Sequence, residues 1–290
     1  MEITPTKKLL VRDWKENVVN IVQYPRAACI PNMSPYSLKV ETFNVNNEFK
    51  NGSVKGLVPF IELNGRHYPD SNNIMEVLIR EFSLTCDSNL SEKDKSDARA
   101  YTFLLEQSFF PALMYLRGVD PKWMFNAEFG ALGNMTGVKK VFAQSFAPIL
   151  LKRRINQRLI NHGYGRNSQD EIEEILRRDL KALSTLLGDK PFFFGPTPSS
   201  FDSTAFAHLA QFYACPQPND VVLKFSELNT PNLKAFFERV KAEVWSDWEE
   251  LGRTLAMNPE PTPIPELPVV IEEETSTPIN GTNAELKPTS

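Results

Sequence analysis

The sequence predicts a small α/β sheet domain followed by a larger all-α domain. Short apolar runs with strand character alternate with helical patterns through the first third of the 290 residues. From Ser91 onward, apolar residues recur at helical spacing. The last 34 residues contain seven prolines and no aromatic residue. Because such a segment cannot offset about 1–2 kcal/mol of backbone entropy per residue, we expect a disordered acidic tail over residues 257–290.

The first two elements are a buried strand and a helix. Residues 18–24 (VVNIVQY) are mostly apolar and β-branched, which is typical of a buried strand. Ser34 then offers an N-cap, and Pro35 takes the first helical position, where its missing N–H costs nothing. Tyr36, Val40 and Phe43 follow at helical spacing.

A hairpin and a second helix complete the predicted sheet domain. Residues 58–63 (VPFIEL) form a strand, Asn64 and Gly65 are a strong hairpin signal, and residues 66–68 return as its partner. The next segment, Pro69-Asp70-Ser71, caps a helix. The apolar face of that helix consists of Ile74, Val77, Leu78 and Phe82. A strand, helix, hairpin, helix order indicates a small α/β sheet domain.

The remaining chain predicts a series of helices. Ser91 opens a long helix that reaches about Arg117 and bends at Pro111, which cannot donate to the helical hydrogen bonds. A second helix has Leu151, Ile155 and Leu159 on one face. Residues 232–249 supply a final helical stretch, which carries Trp245 and Trp248.

Two capping boxes mark further helix starts. Ser168 and Glu171 form the first, and the helix behind it ends at Gly188. Its apolar face is Ile172, Leu176, Leu180, Leu183 and Leu187. Ser199 and Asp202 form the second box. The helix that follows it has the apolar positions Ala205, Phe206, Leu209 and Phe212.

Composition excludes several classes of protein. The formal charge of −4 divides into −5 for residues 257–290 and +1 for the rest, which argues against a dedicated nucleic-acid binder. Cys29, Cys86 and Cys215 form no CxxC pair, which fits a reducing compartment and excludes a Cys-rich zinc module. Neither an apolar signal core nor a run of 18 apolar residues occurs. We therefore expect a cytoplasmic protein without a transmembrane segment.

Four stretches of sequence carry a family resemblance. They read QYPRAACIPNMSPYSLKVETF, KGLVPFIELNG followed by PDSNNI, LLGDKPFFFGPTPSSFD, and WSDWEEL. In this order they resemble the failed-axon-connections family, whose members are similar to metaxins, to nematode cadmium-responsive proteins and to glutathione transferases. The resemblance implies an N-terminal extension (1–16), a thioredoxin-like domain (17–85) and a helical transferase-like domain (90–256), before the tail (257–290).

The resemblance also implies a glutathione site. In such folds the proline at Pro59 is cis, and Val58 pairs with the cysteinyl backbone of glutathione as an added strand would. Asp70 and Ser71 stand where transferases bind the γ-glutamyl carboxylate. The alternative is structural, since a turn at Pro59 and a cap at Ser71 are needed whether or not anything binds.

The resemblance implies that Ser34 stands at the catalytic position. Glutaredoxins and omega-type transferases have a cysteine there, at a helix N-terminus that lowers its pKa. A serine can donate to a glutathione thiolate but cannot form a mixed disulfide, and Ser37 is not a cysteine either. Disulfide chemistry through this motif is therefore excluded. Cys29, in the loop 26–33, could approach the same place, or could be an unreactive loop residue.

The chain departs from the family after Phe43. Only the 14 residues 44–57 remain to finish the first helix, form a strand of about five residues from Asn44 or Val45, and return. At about 1.5 Å per residue, a ten-residue helix spans only about 15 Å, which is marginal for crossing the sheet. We therefore expect a shortened β2 region and a weakened site beside Ser34.

Other polar residues support no chemistry of their own. His67, His162 and His208 lack metal-ligand spacing, so we predict no metal site. A basic cluster near the middle of the chain comprises Lys139, Lys140, Lys152, Arg153, Arg154 and Arg158. We interpret it as a solvated helix surface, and the alternative is contact with anionic lipid or an acidic partner.

Three functional hypotheses follow from the resemblance. The first is a non-catalytic or weakly active binding or scaffold protein in axon development, with no required cofactor. The second is a serine-type glutathione transferase in detoxification or metal-stress response, whose hydrophobic electrophile lies near Phe103, Phe110 and Tyr115. The third, a metaxin-like mitochondrial import component, is disfavoured because no membrane anchor is present. Transferase relatives often form homodimers, which this chain could do; protein partners stay open.

Overall fold

The computed structural model describes residues 9–11, 13–24, 26–40, 44–45, 53, 58–126, 129–131 and 137–254. The structural statements below concern these residues. The predicted tail over residues 257–290, and most of the short segment between Phe43 and Val58, lie outside them. Phe43, the end of the predicted first helical pattern, also lies outside them.

The sheet has the thioredoxin-like arrangement that the resemblance implies. Within the described residues its strands are β1 (Asn20–Val22), β2 (Asn44–Val45), β3 (Phe60–Leu63) and β4 (Arg66–Pro69). Their order in the sheet is β2-β1-β3-β4, with β1 and β2 parallel and the other pairs antiparallel. The strand β2 begins at Asn44, the first of the two starting positions that the sequence allows.

The strands end at different residues from those predicted, because a strand extends only as far as its residues pair with a neighbouring strand. Only residues 20–22 of the predicted 18–24 pair with β3. Pro59 has no N–H to donate, and β3 begins one residue after it. The hairpin turn is confirmed: Asn64 and Gly65 have φ angles of 49° and 73°. Two successive positive φ angles are the mark of a type I′ turn.

The two helices of the sheet domain are α1 (Pro35–Leu38) and α2 (Ser71–Glu81). Helix α1 has four residues, so the first helix is short, as expected. The prediction that Val40 belongs to this helix is wrong, since the helix ends at Leu38. The cap of α2 is Asp70, whose side chain accepts a hydrogen bond from the Asn72 amide. The alternative role of Ser71 as a cap is therefore wrong. Phe82 was predicted to lie on the apolar face of α2, but it is exposed because it lies beyond the last helical residue.

The long helix from Ser91 is divided by a π-helical turn. Helix α3 (Glu92–Leu104) leads into a π turn (Leu105–Phe109), and α4 (Phe110–Val119) follows directly. Pro111 cannot donate to the carbonyl of Gln107, which lies within the π turn. The predicted bend at Pro111 therefore takes the form of a widened turn just before it.

Six further helices complete the described chain. They are α5 (Gly137–His162), α6 (Gln169–Leu187), α7 (Ser200–Tyr213), α8 (Val221–Asn229), α9 (Pro231–Val244) and α10 (Trp248–Thr254). Short 3-10 segments lie at Pro121–Phe125 and Tyr164–Arg166. Both predicted capping boxes are confirmed.

The prediction of one final helical stretch over residues 232–249 is wrong. Helix α9 ends at Val244, and α10 begins at Trp248. The break lets the buried Trp248 ring meet Phe206 and Phe237, with ring centroids 6.2 and 6.1 Å apart. Helix α8 was not predicted.

One hydrophobic core joins the helical domain to one side of the sheet domain. Its centre is formed by α4, α6, α7 and α9, and it also includes Ala27, Ile30 and Leu38. A second cluster lies between the sheet and α2, where Ile21, Ile61 and Ile74 are fully buried. The loop before α1 is therefore packed against the helical domain, which fixes the setting of Ser34.

Candidate functional site

The predicted site residues lie at one edge of the sheet. Val22, at the end of β1, pairs with Phe60, at the start of β3, and Phe60 pairs with Pro69, at the end of β4. The Val58–Pro59 bond before β3 is cis, as the resemblance implies. Asp70 and Ser71 follow β4 directly. The sheet register therefore brings the 58–59 and 70–71 segments to the same edge.

Ser34 joins this edge through the loop that follows β1. The Asn32 side chain donates to the Tyr24 carbonyl (2.9 Å) and accepts a hydrogen bond from the Ser34 amide (2.9 Å). Ser34 stands at the N-cap of α1, but its side chain forms no capping hydrogen bond. The residue is 8% exposed. Its hydroxyl is therefore not committed to the helix.

Ser37, the second position of the motif, lies inside the protein. The residue is fully buried, and its hydroxyl has no partner among the described groups. It packs on the side of α1 that faces the core. The motif therefore presents one hydroxyl at its first position and none at the second.

A buried arginine and a glutamine hold the loop before Ser34 from the helical side. Arg117 of α4 donates to the Gln211 carbonyl (2.9 Å) and side-chain oxygen (3.0 Å). It also donates to the Met33 carbonyl at 3.5 Å. Gln211 of α7 in turn donates to the Asn32 carbonyl (2.9 Å). We call these four residues, Asn32, Met33, Arg117 and Gln211, the loop clamp.

The loop clamp was not predicted from the sequence. A signal was present, because Arg117 follows the apolar run ALMYL, and a charged residue inside a buried helix needs partners. Nothing local identifies those partners, since Gln211 lies 94 residues away along the chain. The clamp makes the position of Ser34 depend on the helical domain.

A second polar group links α1, α2 and the π turn next to Ser71. The Lys39 ammonium donates to the Asn72 side chain (2.8 Å) and to the Glu106 carboxylate (3.0 Å). The Lys39 side chain is fully buried. Burial lowers the pKa of Lys39, and the Glu106 carboxylate opposes that shift. This group was not predicted either, because Lys39, Asn72 and Glu106 come from three separate parts of the chain.

Aromatic rings close the space between α1 and the helical domain. Tyr36 contacts Phe110 and His208, with ring centroids 5.6 and 5.8 Å apart. The His208 Nδ1 lies 2.8 Å from the Thr204 carbonyl, and burial lowers the pKa of His208 to about 3. The ring is therefore neutral at physiological pH and serves as a core residue.

The three side chains predicted to line a hydrophobic subsite have different surroundings. Phe110 contacts Tyr36 of α1. Tyr115 donates to the Asn167 carbonyl (3.1 Å), and Phe103 is exposed beside Arg99. Phe110 is thus the member of this set with a described contact to the sheet domain.

The remaining histidines and Cys29 each lie close in space to one other side chain. His67 lies 3.8 Å from Glu62, and His162 lies 3.3 Å from Gln107. In the described part of the chain, no three His, Cys, Asp or Glu side chains are grouped so as to hold a metal ion. Cys29 lies in the loop before Ser34, with its sulfur 3.9 Å from that of Cys215.

Helix α5 exposes an apolar strip beside a set of cations. Val138, Phe142, Phe146, Ile149 and Leu150 are each between 53% and 85% exposed. We call these five side chains the α5 face. The Phe142 and Phe146 rings lie together, with centroids 4.9 Å apart. The helix contains six Lys and Arg residues and no acidic residue. Among the described residues, none of the helices has the length and apolar content that a membrane-spanning segment requires.

The comparisons with known proteins agree with this architecture. Residues 35–123 match the glutathione S-transferase N-terminal domain, and residues 176–240 match the glutathione S-transferase C-terminal domain. Failed axon connections of Drosophila melanogaster is 32% identical, over 90% of this chain and 68% of the relative. Isoprene-epoxide–glutathione S-transferase of Rhodococcus is 27% identical, over 78% and 99%. Metaxin-2 of Mus musculus is 23% identical, over 81% and 91%.

Proposed function

This chain belongs to the failed-axon-connections family of glutathione-transferase-like proteins, and on that basis we propose that it is a binding or scaffold protein in axon development. In this proposal the transferase fold is kept as a scaffold, and turnover of glutathione is weak or absent. The protein is cytoplasmic and docks peripherally on membranes that carry anionic lipid.

The observation that carries the membrane-docking part of this proposal is the α5 face. Exposed apolar patches of this kind mark interaction surfaces. A helix that exposes aromatic and aliphatic side chains together with lysines and arginines fits the interface of a bilayer. The complete lack of acidic residues on α5 favours a uniformly anionic surface over a protein partner, because a protein surface presents both signs of charge.

The chemistry of the Ser34 motif supports the same proposal. Neither Ser34 nor Ser37 can form a mixed disulfide, and Ser37 is buried. The ammonium of Lys39, which donates to the Asn72 side chain, is already paired with Glu106. These features favour a fold that binds over one that carries out sulfur exchange.

Vesicle binding tests the docking proposal. We expect co-sedimentation with vesicles of phosphatidylcholine and phosphatidylserine, no co-sedimentation with phosphatidylcholine alone, and weaker binding as salt is raised. The double variant Phe142→Ser/Phe146→Ser should lose this binding. The control Phe103→Ser removes an equally exposed phenylalanine from α3 and should bind as the unaltered protein does.

Two outcomes would contradict docking on a bilayer. One is that the double variant still binds to vesicles that contain phosphatidylserine. The other is a dimer, measured by light scattering without vesicles, that the same double variant abolishes. In the second case the α5 face would be an interface between two copies of this chain.

A serine-type glutathione transferase is the second candidate, because the Ser34 hydroxyl is not used as a helix cap. In this proposal Ser34 donates to the glutathione thiolate, and the backbone of Val58 before Pro59 pairs with the tripeptide. Asp70 and Ser71 hold the γ-glutamyl carboxylate, and a hydrophobic electrophile lies near Phe110. The similarity to a relative named as a glutathione S-transferase supports this candidate.

Retention on immobilised glutathione, followed by turnover of chlorodinitrobenzene, separates the two candidates. Retention together with turnover that Ser34→Ala abolishes would favour the enzyme and defeat a scaffold-only function. The control Ser96→Ala changes an exposed serine of α3 and should leave any activity unaltered. If neither retention nor turnover occurs, the transferase candidate is excluded.

A further inference from the structure

We propose that Cys29 and Cys215 form an oxidation site, at which peroxide converts the two thiols into a reversible disulfide between the sheet domain and the helical domain. Both cysteines are unpaired thiols in this structure, and their sulfur atoms are 3.9 Å apart. They are separated by 186 residues along the chain. This inference does not depend on glutathione binding or on the α5 face.

The surroundings of the two sulfurs favour reaction. The Cys29 thiol donates a hydrogen bond to the Cys215 sulfur. Although burial raises the pKa of Cys215, this hydrogen bond and the positive charge of Arg117 lower it overall. The hydrogen bond and burial raise the pKa of Cys29. Negative charge is therefore favoured on Cys215, and thiolate is the form that reacts with peroxide.

Access and geometry fit an oxidation site. Cys29 is partly exposed whereas Cys215 is buried, so a molecule as small as hydrogen peroxide reaches the pair from the side of Cys29. The two sulfurs must approach from 3.9 Å to the disulfide length of about 2.05 Å. Cys29 is on the loop 26–33, where a side-chain rotation and a small backbone shift can close that gap.

The reaction balances with hydrogen peroxide as the oxidant. One thiolate sulfur attacks a peroxide oxygen, the O–O bond breaks, and hydroxide leaves and takes up a proton to become water. The second sulfur, after losing its proton, attacks the sulfenic sulfur. The S–S bond forms, the S–O bond breaks, and a second water leaves. The two thiols are oxidised by two electrons, and the peroxide is reduced to two waters.

The disulfide would join the same two parts of the protein as the loop clamp does, namely the loop 26–33 and the end of α7. Cys29 lies three residues before Asn32, and Cys215 lies four residues after Gln211. Asn32 and Gln211 already join this loop to α7 by a hydrogen bond. The clamp residue Arg117 favours the thiolate of Cys215. Oxidation would therefore add a covalent bond to the junction that positions Ser34.

Mass spectrometry of the full chain tests this proposal directly. After treatment with hydrogen peroxide and non-reducing digestion, we expect a peptide in which Cys29 is linked to Cys215. Titratable thiols should fall from three to one, and dithiothreitol should restore all three. The Cys86→Ser variant, which keeps the pair, should give the same cross-link. The variants Cys29→Ser and Cys215→Ser should give none.

The unfolding temperature provides an independent test of disulfide formation. A bond that closes so long a loop restricts the unfolded chain, so the oxidised protein should melt at a higher temperature than the reduced protein. Sulfinic acid at Cys29 without a cross-link would overturn the proposal. A disulfide that involves Cys86 or a second molecule, or three unaltered thiols, would also overturn it. The peptide analysis uses the unaltered chain, so it remains decisive even if a serine variant does not fold.

Discussion

At the scale of the residue, Ser34 is positioned by side chains of the other domain. Arg117 is 1% exposed and makes hydrogen bonds to Gln211 and Met33. The Arg117 guanidinium thus satisfies carbonyl groups that would otherwise be buried without partners. Removing it leaves those groups desolvated and unpaired, which costs about 1–3 kcal/mol for each group.

We therefore expect Arg117→Met to lower the free energy of unfolding by about 2–4 kcal/mol, measured by urea denaturation. The matched control is Arg178→Met, because the Arg178 side chain is 75% exposed. That change should alter the free energy of unfolding by less than about 0.5 kcal/mol. Equal effects of the two substitutions would contradict the role given to the loop clamp.

His208 gives the molecule a pH dependence of known sign. Burial lowers the pKa of His208 from 6.5 to about 3 in the folded protein. As pH falls below 6.5, the unfolded chain binds a proton that the folded protein does not. Stability from this residue is therefore present above pH 6.5 and is lost as pH falls toward 3.

Between pH 6.5 and pH 5, this loss amounts to about 2 kcal/mol. We expect the His208→Gln variant to show a smaller fall in the free energy of unfolding over this range than the unaltered protein. The matched control is His162→Gln, the same substitution at an exposed histidine of α5. An unchanged pH dependence in His208→Gln would contradict the neutral, buried state of the ring.

At the scale of the element, helix starts and turns were predictable because their signals are local. The capping boxes of α6 and α7 join residues three positions apart, and the Asn64–Gly65 turn depends on two adjacent residues. The break between α9 and α10 was not predictable, since it depends on rings of α7 and α9 that meet Trp248. The exposure of the α5 face likewise depends on which neighbours cover the helix.

The capping box of α6 supports a test of local stability. Ser168 accepts a hydrogen bond from the Glu171 amide (3.3 Å) and donates to the Glu171 carboxylate (3.0 Å). We expect Ser168→Ala to lower the free energy of unfolding by about 1 kcal/mol in thermal or urea denaturation. The control Ser96→Ala, within α3, should have less than half that effect. A difference too small to measure would show that the box does not stabilise α6.

At the scale of the whole molecule, the thioredoxin-like sheet could be inferred from the family resemblance, but its attachment to the helical domain could not. Ala27, Ile30 and Leu38 belong to the helical core, although they stand in a region that reads as sheet domain. The loop clamp, the Lys39–Glu106 pair and the two adjacent cysteines all lie on this junction. Each joins residues far apart in sequence, and no spacing rule relates them.

The acidic tail is expected to add nothing to the stability of the folded part, because its composition cannot bury enough apolar area. A chain ending at Ala256 should therefore melt within about 1 °C of the full chain in a calorimetric scan. The full chain measured in the same buffer is the control. A drop of several degrees would mean that residues 257–290 pack against the rest.

Hydrogen–deuterium exchange of the full chain, with and without phosphatidylserine-containing vesicles, measures the docking surface most directly. If α5 lies in the bilayer interface, peptides from residues 137–150 gain protection on addition of these vesicles, while α6 and α7 exchange as before. Protection confined to the segment around Ser34, or none anywhere along α5, would contradict a binding protein that docks through this helix.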